Sequence, residues 1–422
     1  SLVLADRPTG RPALVALAGA VEASAVGAHV DPALVRGPEA IAAAARDAGA
    51  RGDPVVVAWS FFSSDSGAAA ADLARVRAAA PGPALHVAGG VHATAEPEAT
   101  LAAGFDLVAR GEGERTLVAI LRRVLAGAPT HDVPGLAWIE GGAMRTSGRA
   151  APVVLDDHPG SSRRLGKALA LEVTRGCIWA CSFCQTPFQH RARFRHRSLA
   201  SVRAWARHAV ELGHRDVRFL TPSALSYGAT GAEVRLDAVE ALLAAVRDEI
   251  GRGRRIFFGT FPSELRPEHV SPEALRVVAR WADNRALAVG AQSGSERLLR
   301  VMERGHGVEE VVRAVRVAVE AGFSPSVDLI LGLPGETEDD LEATRRLMRQ
   351  VADLGARVRG HAFLPLPGTP WRLQPPGRLD ATTRTLLDRL ASEGRASGQW
   401  RAQADLAERL ARGAPRPRPL AR

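Results

Sequence analysis

The chain has 422 residues, with 55 Lys+Arg against 46 Asp+Glu for a formal net charge of +9, and it is 46% hydrophobic and 24% charged. Those values belong to a folded globular protein of two or three domains and exclude disorder on a large scale. No apolar run reaches the ~18–20 residues of a membrane-spanning helix, and Ser1 to Asp6 lacks the basic head and apolar stretch of a secretory signal.

Lys167 is the single lysine, so the basic excess is arginine, and it is spread through an alanine-rich chain. Nucleic-acid binders concentrate charge on one face or stripe. The clearest run, Arg191 to Arg197, lies beside the cysteines described below, and a nucleic-acid partner is not expected.

The first ~130 residues alternate short apolar runs with helical stretches. Strands are expected at Leu2–Ala5, Val55–Trp59, Ala84–Ala88 and Phe105–Ala109. Helices are expected at Ala13–Ala25, Ala68–Ala80, Glu96–Ala103 and Arg115–Leu125. This alternation predicts a parallel sheet covered on both faces, a doubly wound domain over 1–131 that binds ligands outside the carboxyl ends of its strands. Leu136–Glu140, Gly141-Gly142 and Ala143–Thr146 read as a hairpin within a linker, 132–166.

A second α/β series fills 167–370, with strands expected at Ala168–Thr174, Asp216–Leu220, Arg255–Thr260, Ala286–Gly290, Ser326–Leu331 and Arg357–Phe363. Helices at Leu199–Leu212, Leu236–Ile250 and Val308–Ala321 separate some of them. Six such units predict a partial (β/α)6 barrel with functional residues at the carboxyl ends of its strands. The extension 371–422 reads as helical from Thr382 to Ala411, ending in a disordered Pro/Arg tail from Arg412.

Cysteine usage carries the chemistry. Cys177, Cys181 and Cys184 are the only three in the chain and lie directly after the first barrel strand. A disulfide framework would be even-numbered and dispersed, so the spacing C-x3-C-x2-C points to metal ligands in a reducing cytoplasm. Three thiolates on one loop suit three irons of a [4Fe–4S] cube. Tetrahedral zinc would need a fourth ligand, for which His190 and His196 stand nearby.

The segment Thr174-Arg175-Gly176-Cys177 through Cys184, followed by Arg195-His196-Arg197-Ser198, resembles the cysteine motif of the radical S-adenosylmethionine superfamily. The resemblance implies that the iron without a cysteine binds the amino and carboxylate groups of S-adenosylmethionine. Cleavage would then give a 5′-deoxyadenosyl radical, with Cys177, Cys181 and Cys184 as catalytic ligands. It places Phe183 near the adenine, and Ile330 and Gly332, in Val327-Asp328-Leu329-Ile330-Leu331-Gly332-Leu333-Pro334-Gly335-Glu336, on an adenine-contacting strand and turn. Gln292, Ser293 and Ser295, with Met302 and Arg304 beyond, resemble a ribose- and methionine-contacting segment, although Ser293 or Ser295 also suits a helix N-cap. The Gly-Gly-Glu stretch that commonly holds the methionine amine is absent, and Thr221-Pro222-Ser223 stands in its place.

In the first domain, Ser60, Phe61 and Ser63 follow one strand, Gly89, Gly90 and His92 another, and Gly111, Glu112, Gly113 and Glu114 a third. Together they resemble a compact cobalamin-binding domain ahead of a radical S-adenosylmethionine barrel. The Asp-x-His-x-x-Gly string of cobalamin domains that ligate cobalt through histidine is missing after the first strand, where Asp6-Arg7-Pro8-Thr9-Gly10 stands. Cobalamin without a histidine lower ligand is therefore implied.

The resemblance implies a cobalamin-dependent enzyme, foremost a methyltransferase acting on an unactivated carbon of a small-molecule or natural-product substrate, with flavodoxin or ferredoxin as electron donor. Cyclisation or rearrangement, methylthiotransfer to RNA or protein, and a non-catalytic cofactor sensor are the alternatives. Tyr227, the only tyrosine, reads as structural.

Overall fold

The computed structural model describes residues 1–412, and the chain divides into two compact units, Ser1–Leu169 and Ala170–Arg422. The expected disordered tail beyond Arg412 lies outside the described residues.

The first unit is built on strands β1 (Leu2–Ala5), β2 (Pro32–Val35), β3 (Val56–Ser60), β4 (Leu85–Gly89), β5 (Leu107–Ala109), β6 (Leu136–Glu140) and β7 (Ala143–Thr146). They form one sheet in the order β2-β1-β3-β4-β5-β6-β7, with the first five parallel. Alternate side chains of each strand feed separate cores. Leu2, Leu4, Val56 and Ala58 face Leu14 and Val21 of helix Arg11–Glu22 and Ile120 of helix Gly113–Leu125. Val3, Val57 and Trp59 face Ile41 of helix Pro38–Ala50 and Leu73 of helix Ser66–Ala79. This is a doubly wound, flavodoxin-like sheet whose order reverses between β1 and β3.

Three features depart from expectation. The hairpin β6–β7 is no linker element: it continues the sheet, pairing antiparallel to β5 with Val108 opposite Ala137, and so covers an edge that would otherwise present unpaired backbone. Strand β2 and helix Pro38–Ala50 carry little periodic signal, because the strand is a short edge opening on proline and the helix is mostly alanine. A short helix, Gly90–Ala95, follows β4 directly.

The second unit carries β8 (Leu171–Glu172), β9 (Thr174–Arg175), β10 (Arg195–His196), β11 (Asp216–Leu220), β12 (Arg255–Phe257), β13 (Ala286–Gln292), β14 (Ser324–Leu331), β15 (Arg357–Ala362) and β16 (Ala396–Gly398). Parallel pairing gives β12-β11-β8 and β13-β14-β15-β16. The two parts are joined where Leu265 N donates to Ala288 O (2.8 Å) and Gly290 N to Leu265 O (3.0 Å). The result is a partial β/α barrel.

Outward residues such as Phe219, Val289, Leu329 and Val358 pack under the surrounding helices. In the same strands Gly290, Asp328 and Arg359 share one inward register. The helical run expected over Thr382–Ala411 is broken into Ala381–Ser392 and Trp400–Arg412 by β16, which extends the barrel by pairing with β15.

Gly10 marks the tightest approach at the β1/β3 reversal: a Cβ there would stand 1.8 Å from the Ser60 carbonyl oxygen. Gly10→Ala is expected to cost about 1–3 kcal/mol by overpacking, read as a lowered urea midpoint. An unchanged midpoint would contradict this packing.

Candidate functional site

The cysteine loop leaves the first barrel strand through Gly176. Its φ is 82°, and a Cβ would lie 2.3 Å from Arg193 O, so both conformation and space require glycine. The short ladder β9–β10 returns the chain beneath the loop, Thr174 opposite His196. The two ring nitrogens of His196 meet Thr174 Oγ1 (2.9 Å) and Ala229 O (2.8 Å), which removes it as a zinc ligand. Desolvation of half-buried Glu172 by itself favours the neutral acid, yet the bidentate Arg175 (2.7 and 2.8 Å) and Arg197 hold it below the ordinary carboxylate range.

Backbone bonds fix the loop at its middle. Ser182 N donates to Met302 O (3.0 Å), Trp371 N donates to Ser182 O (3.1 Å), and Cys184 N donates to Cys181 O (3.0 Å). Gln185 Nε2 adds a bond to Pro367 O (2.7 Å). Each thiol has a donor: Trp179 N–H for Cys177, Arg304 Nη1 at 3.6 Å for Cys181, and the Thr186 backbone and hydroxyl for Cys184. Burial pushes Cys177 up to about 11 and also raises Cys184. Thiols so placed ionise only when a metal replaces the proton.

Among the described residues no three His, Cys, Asp or Glu side chains converge as ligands of one ion would. Separate thiolates on separate irons do not require that convergence. Three thiols on one loop, each with a hydrogen-bond donor, are a donor set that fits an iron–sulfur cluster, which Cys177, Cys181 and Cys184 would hold.

Of the residues expected for S-adenosylmethionine, Phe183 and Ile330 stand together beside this loop. Phe183 packs with Ile330, Leu333, Met302, Phe363 and Trp371. Gln292 ends β13 at a bulge with φ of 75°, a strained conformation for a side chain of its size. Gly332 accepts from Gly377 N (2.9 Å).

Ser293 and Ser295 are committed locally. Ser295 Oγ accepts from Leu298 N as a helix N-cap and donates to Asp340, while Ser293 Oγ accepts from Ser295 N. Thr221 Oγ1 donates to Ser223 O (3.0 Å), and Tyr227 OH donates to Arg197 O (2.7 Å), a structural bond. Residues without a sequence signal also join the site. Arg266 stacks 3.8 Å over Trp179 and donates to Arg304 O, and buried His306, beside Arg304, is pushed down to about 4.

In the first unit Ser60 is in register with Gly89, and Phe61 packs against His92, whose Nδ1 lies 3.1 Å from Ser63 Oγ. These residues and Gly90 gather at the carboxyl ends of β3 and β4. The other group follows the neighbouring strand β5: Gly111 N donates to Thr94 Oγ1 (3.0 Å) of helix Gly90–Ala95, Glu112 accepts from Val153 N (2.8 Å), Gly113 lies against Leu17, and Glu114 is buried. On the loop after β1, Arg7 pairs with Asp72, Thr9 donates to Asp65 (2.6 Å) and Arg11 binds Asp6 (2.7 Å). That loop holds no histidine, so cobalamin bound here would have no histidine from it beneath the metal.

A cluster-binding loop on a partial barrel and a doubly wound ligand domain ahead of it define a two-domain cofactor enzyme. Residues 171–348 match the Radical SAM superfamily and residues 11–121 match the B12 binding domain. The chain thus carries a radical S-adenosylmethionine domain preceded by a B12-binding domain, which together imply a [4Fe–4S] cluster, S-adenosylmethionine and cobalamin as cofactors.

It is similar in fold to the radical S-adenosylmethionine methyltransferase TsrM from Kitasatospora setae. The TM-score is 0.69 at 18% identity, covering 88% of this chain and 73% of that one. It is also similar to the cobalamin-dependent enzyme OxsB, with a TM-score of 0.67 at 16% identity, covering 82% of this chain and 51% of that one. A tRNA-2-methylthio-N(6)-dimethylallyladenosine synthase of Halorhodospira halophila is 34% identical over 259 residues, 59% of this chain. The chain spans about half the length of that relative, 53%. Among the described residues no helix is long and apolar enough to cross a membrane.

Gly176→Ala adds strain of about 1–3 kcal/mol to the loop. It is expected to lower iron and sulfide bound after anaerobic reconstitution while leaving the far-UV circular dichroism unchanged. Full cluster loading in this variant would contradict the assigned geometry.

Proposed function

We propose that this chain is a methyltransferase that acts on an unactivated carbon of a small-molecule or natural-product substrate, and that Cys177, Cys181 and Cys184 are its catalytic ligands. The observation that carries the reading is the loop after β1, whose Arg7, Thr9 and Arg11 are bonded to Asp72, Asp65 and Asp6 and which holds no histidine. A cobalt left without a histidine beneath it exchanges methyl groups more readily, by the general influence of axial ligation on a metal centre. When bound, the cluster supplies the electron that splits S-adenosylmethionine into methionine and a 5′-deoxyadenosyl radical, and cobalamin carries the methyl group.

The chain's own residues hold and shield these groups. Phe183 and Ile330 form an apolar wall, Gln292 and Gly332 offer polar and backbone contacts at the ends of β13 and β14, and Thr221 lies at the end of β11. Ser60, Phe61, Ser63, Gly89, Gly90 and His92 form the cobalamin-facing ends of β3 and β4. Ser293, Ser295 and Gly111 to Glu114 support the two sites through the bonds described above. Flavodoxin or ferredoxin is the proposed electron donor, and the cytoplasm the proposed compartment. TsrM, of related fold, has been captured with tryptophan as substrate, which favours a small molecule here.

Methylthiotransfer to nucleic acid is the second reading, favoured by the 34% identity to the Halorhodospira relative. With three cysteines in the sequence, no thiols remain to ligate a second cluster, so the methyltransferase reading stands first. The test is product analysis of cofactor-loaded protein under reductant with a substrate library. Methyl transfer predicts S-adenosylhomocysteine and 5′-deoxyadenosine together, and a base-off cobalamin spectrum. 5′-Deoxyadenosine alone would indicate rearrangement, and a histidine-ligated spectrum would contradict the reading of the β1 loop.

A further inference from the structure

An ion pair stands against the cysteine loop with its cationic end inward. Trp179 lies midway between Cys177 and Cys181, and the Arg266 guanidinium covers its ring, with Cζ 3.8 Å from the ring centre. Arg266 Nη2 donates to Arg304 O, and Arg304 Nη1 in turn faces Cys181 Sγ at 3.6 Å. Arg266 Nε pairs with Glu268 Oε1. The arginine side chain is 4% accessible and that of the glutamate 19%, so the carboxylate is the end toward solvent.

Three features fix the stack. Leu265 is bonded on both sides to β13, its N to Ala288 O (2.8 Å) and its O to Gly290 N (3.0 Å), which pins the residue before Arg266. The turn Pro267–His269 follows directly, with His269 N donating to Arg266 O (3.1 Å). Gly305, with φ of 78°, leaves room for the stack: a Cβ there would stand 3.0 Å from Trp179 Cζ3 and 3.5 Å from Arg266 Nη2. A guanidinium out of water loses hydration, and an aromatic face restores part of that loss. Other charged groups nearby are engaged elsewhere. Arg304 bonds Cys181, Gly290 O and His306, and Glu264, two residues before Arg266, reaches Arg359 at 3.2 Å. Burial pushes His306 down to about 4 and lowers His269, so both rings are neutral near pH 7. No acidic residue occurs between Glu172 and Glu211, the stretch that carries the cysteine loop.

We propose that Arg266 is a positioning residue for electron entry: acting through Trp179 and Arg304 without touching a sulfur, its charge raises the reduction potential of the cluster that the three cysteines would hold, and Glu268 limits that effect. The inference rests on the reading of the cysteine loop as an iron–sulfur site and adds a role for two residues that no motif marks. Reduction brings in one electron, taken from an external donor of the flavodoxin or ferredoxin class, and no bond or proton changes place. The added negative charge is stabilised by a buried cation nearby and opposed by a carboxylate, and the potential of such clusters follows local charge and solvent exposure. Removing the Arg266 charge therefore lowers the potential, and removing that of Glu268 raises it.

The experiment is an anaerobic redox titration of cluster- and cobalamin-loaded full chain without S-adenosylmethionine, followed by electron paramagnetic resonance of the reduced cluster. A unit charge roughly 10 Å away, in a medium of effective dielectric about 20, shifts a one-electron equilibrium about tenfold, which is about 59 mV. Arg266→Gln is expected to fall by about that much and Glu268→Gln to rise, while Arg266→Lys, which keeps the charge, recovers most of the loss. An unchanged potential in Arg266→Gln, or one equally low in Arg266→Gln and Arg266→Lys, would overturn the proposal. Should Arg266→Gln fail to fold, Glu268→Gln decides, because a potential at or below the native value in that variant overturns it as well. Native protein with no cluster signal would instead remove the underlying reading, and this inference with it.

Discussion

The Arg304 guanidinium ties the cysteine loop to the barrel. Nη1 faces Cys181 Sγ at 3.6 Å, Nη2 donates to Gly290 O at 2.7 Å, and Nε donates to His306 Nε2 at 3.0 Å, all in a buried setting. A charge out of water must find carbonyls or an opposite charge close by, and a thiolate at Cys181 would supply the latter when it holds a cluster. This one side chain closes a sequence separation of 123 residues. The Met302–Ser182–Trp371 backbone bonds then set the loop's height over the strand ends, and the apolar wall of Phe183 and Ile330 follows from that placement.

The first unit obeys a different constraint. Its parallel sheet is buried on both faces, so successive residues of β1 and β3 serve two cores, and specific chemistry is confined to strand ends. The order β2-β1-β3 places the reversal where the Gly10 backbone meets Ser60. At that reversal the loop after β1 carries Arg7, Thr9 and Arg11, bonded to Asp72, Asp65 and Asp6, where the histidine of cobalt-ligating cobalamin domains would stand. The two units thus follow one rule, polar and glycine residues gathered at the carboxyl ends of parallel strands, with a cysteine loop in one and Gly89, Gly90 and His92 in the other.

Much of this was legible in the sequence because the signals are local. Asp216–Leu220 and Leu236–Ile250 fall as their periodicity predicts, and the cysteine spacing needs no tertiary knowledge. What was illegible depends on distant partners. β16 is three residues of Ala-Ser-Gly that become a strand only because β15 offers an edge, and the β6–β7 hairpin reads as a linker until β5 is placed beside it. Glu264 carries no motif: it meets Arg359, 95 residues further on, whose guanidinium also holds Asp328. Ser295 shows the converse, a residue whose family resemblance suggested a ligand contact and whose hydroxyl is engaged by Leu298 and Asp340.

The central claim is that three thiolates hold an iron–sulfur cube with one iron open to S-adenosylmethionine. Electron paramagnetic resonance of the anaerobically reconstituted, reduced protein, with and without S-adenosylmethionine, tests it most directly. The account predicts a [4Fe–4S]+ signal whose g-values move when S-adenosylmethionine is added and which is absent when Cys181 is replaced by alanine. A zinc-loaded protein silent in that experiment, or a cluster signal indifferent to S-adenosylmethionine, would contradict it.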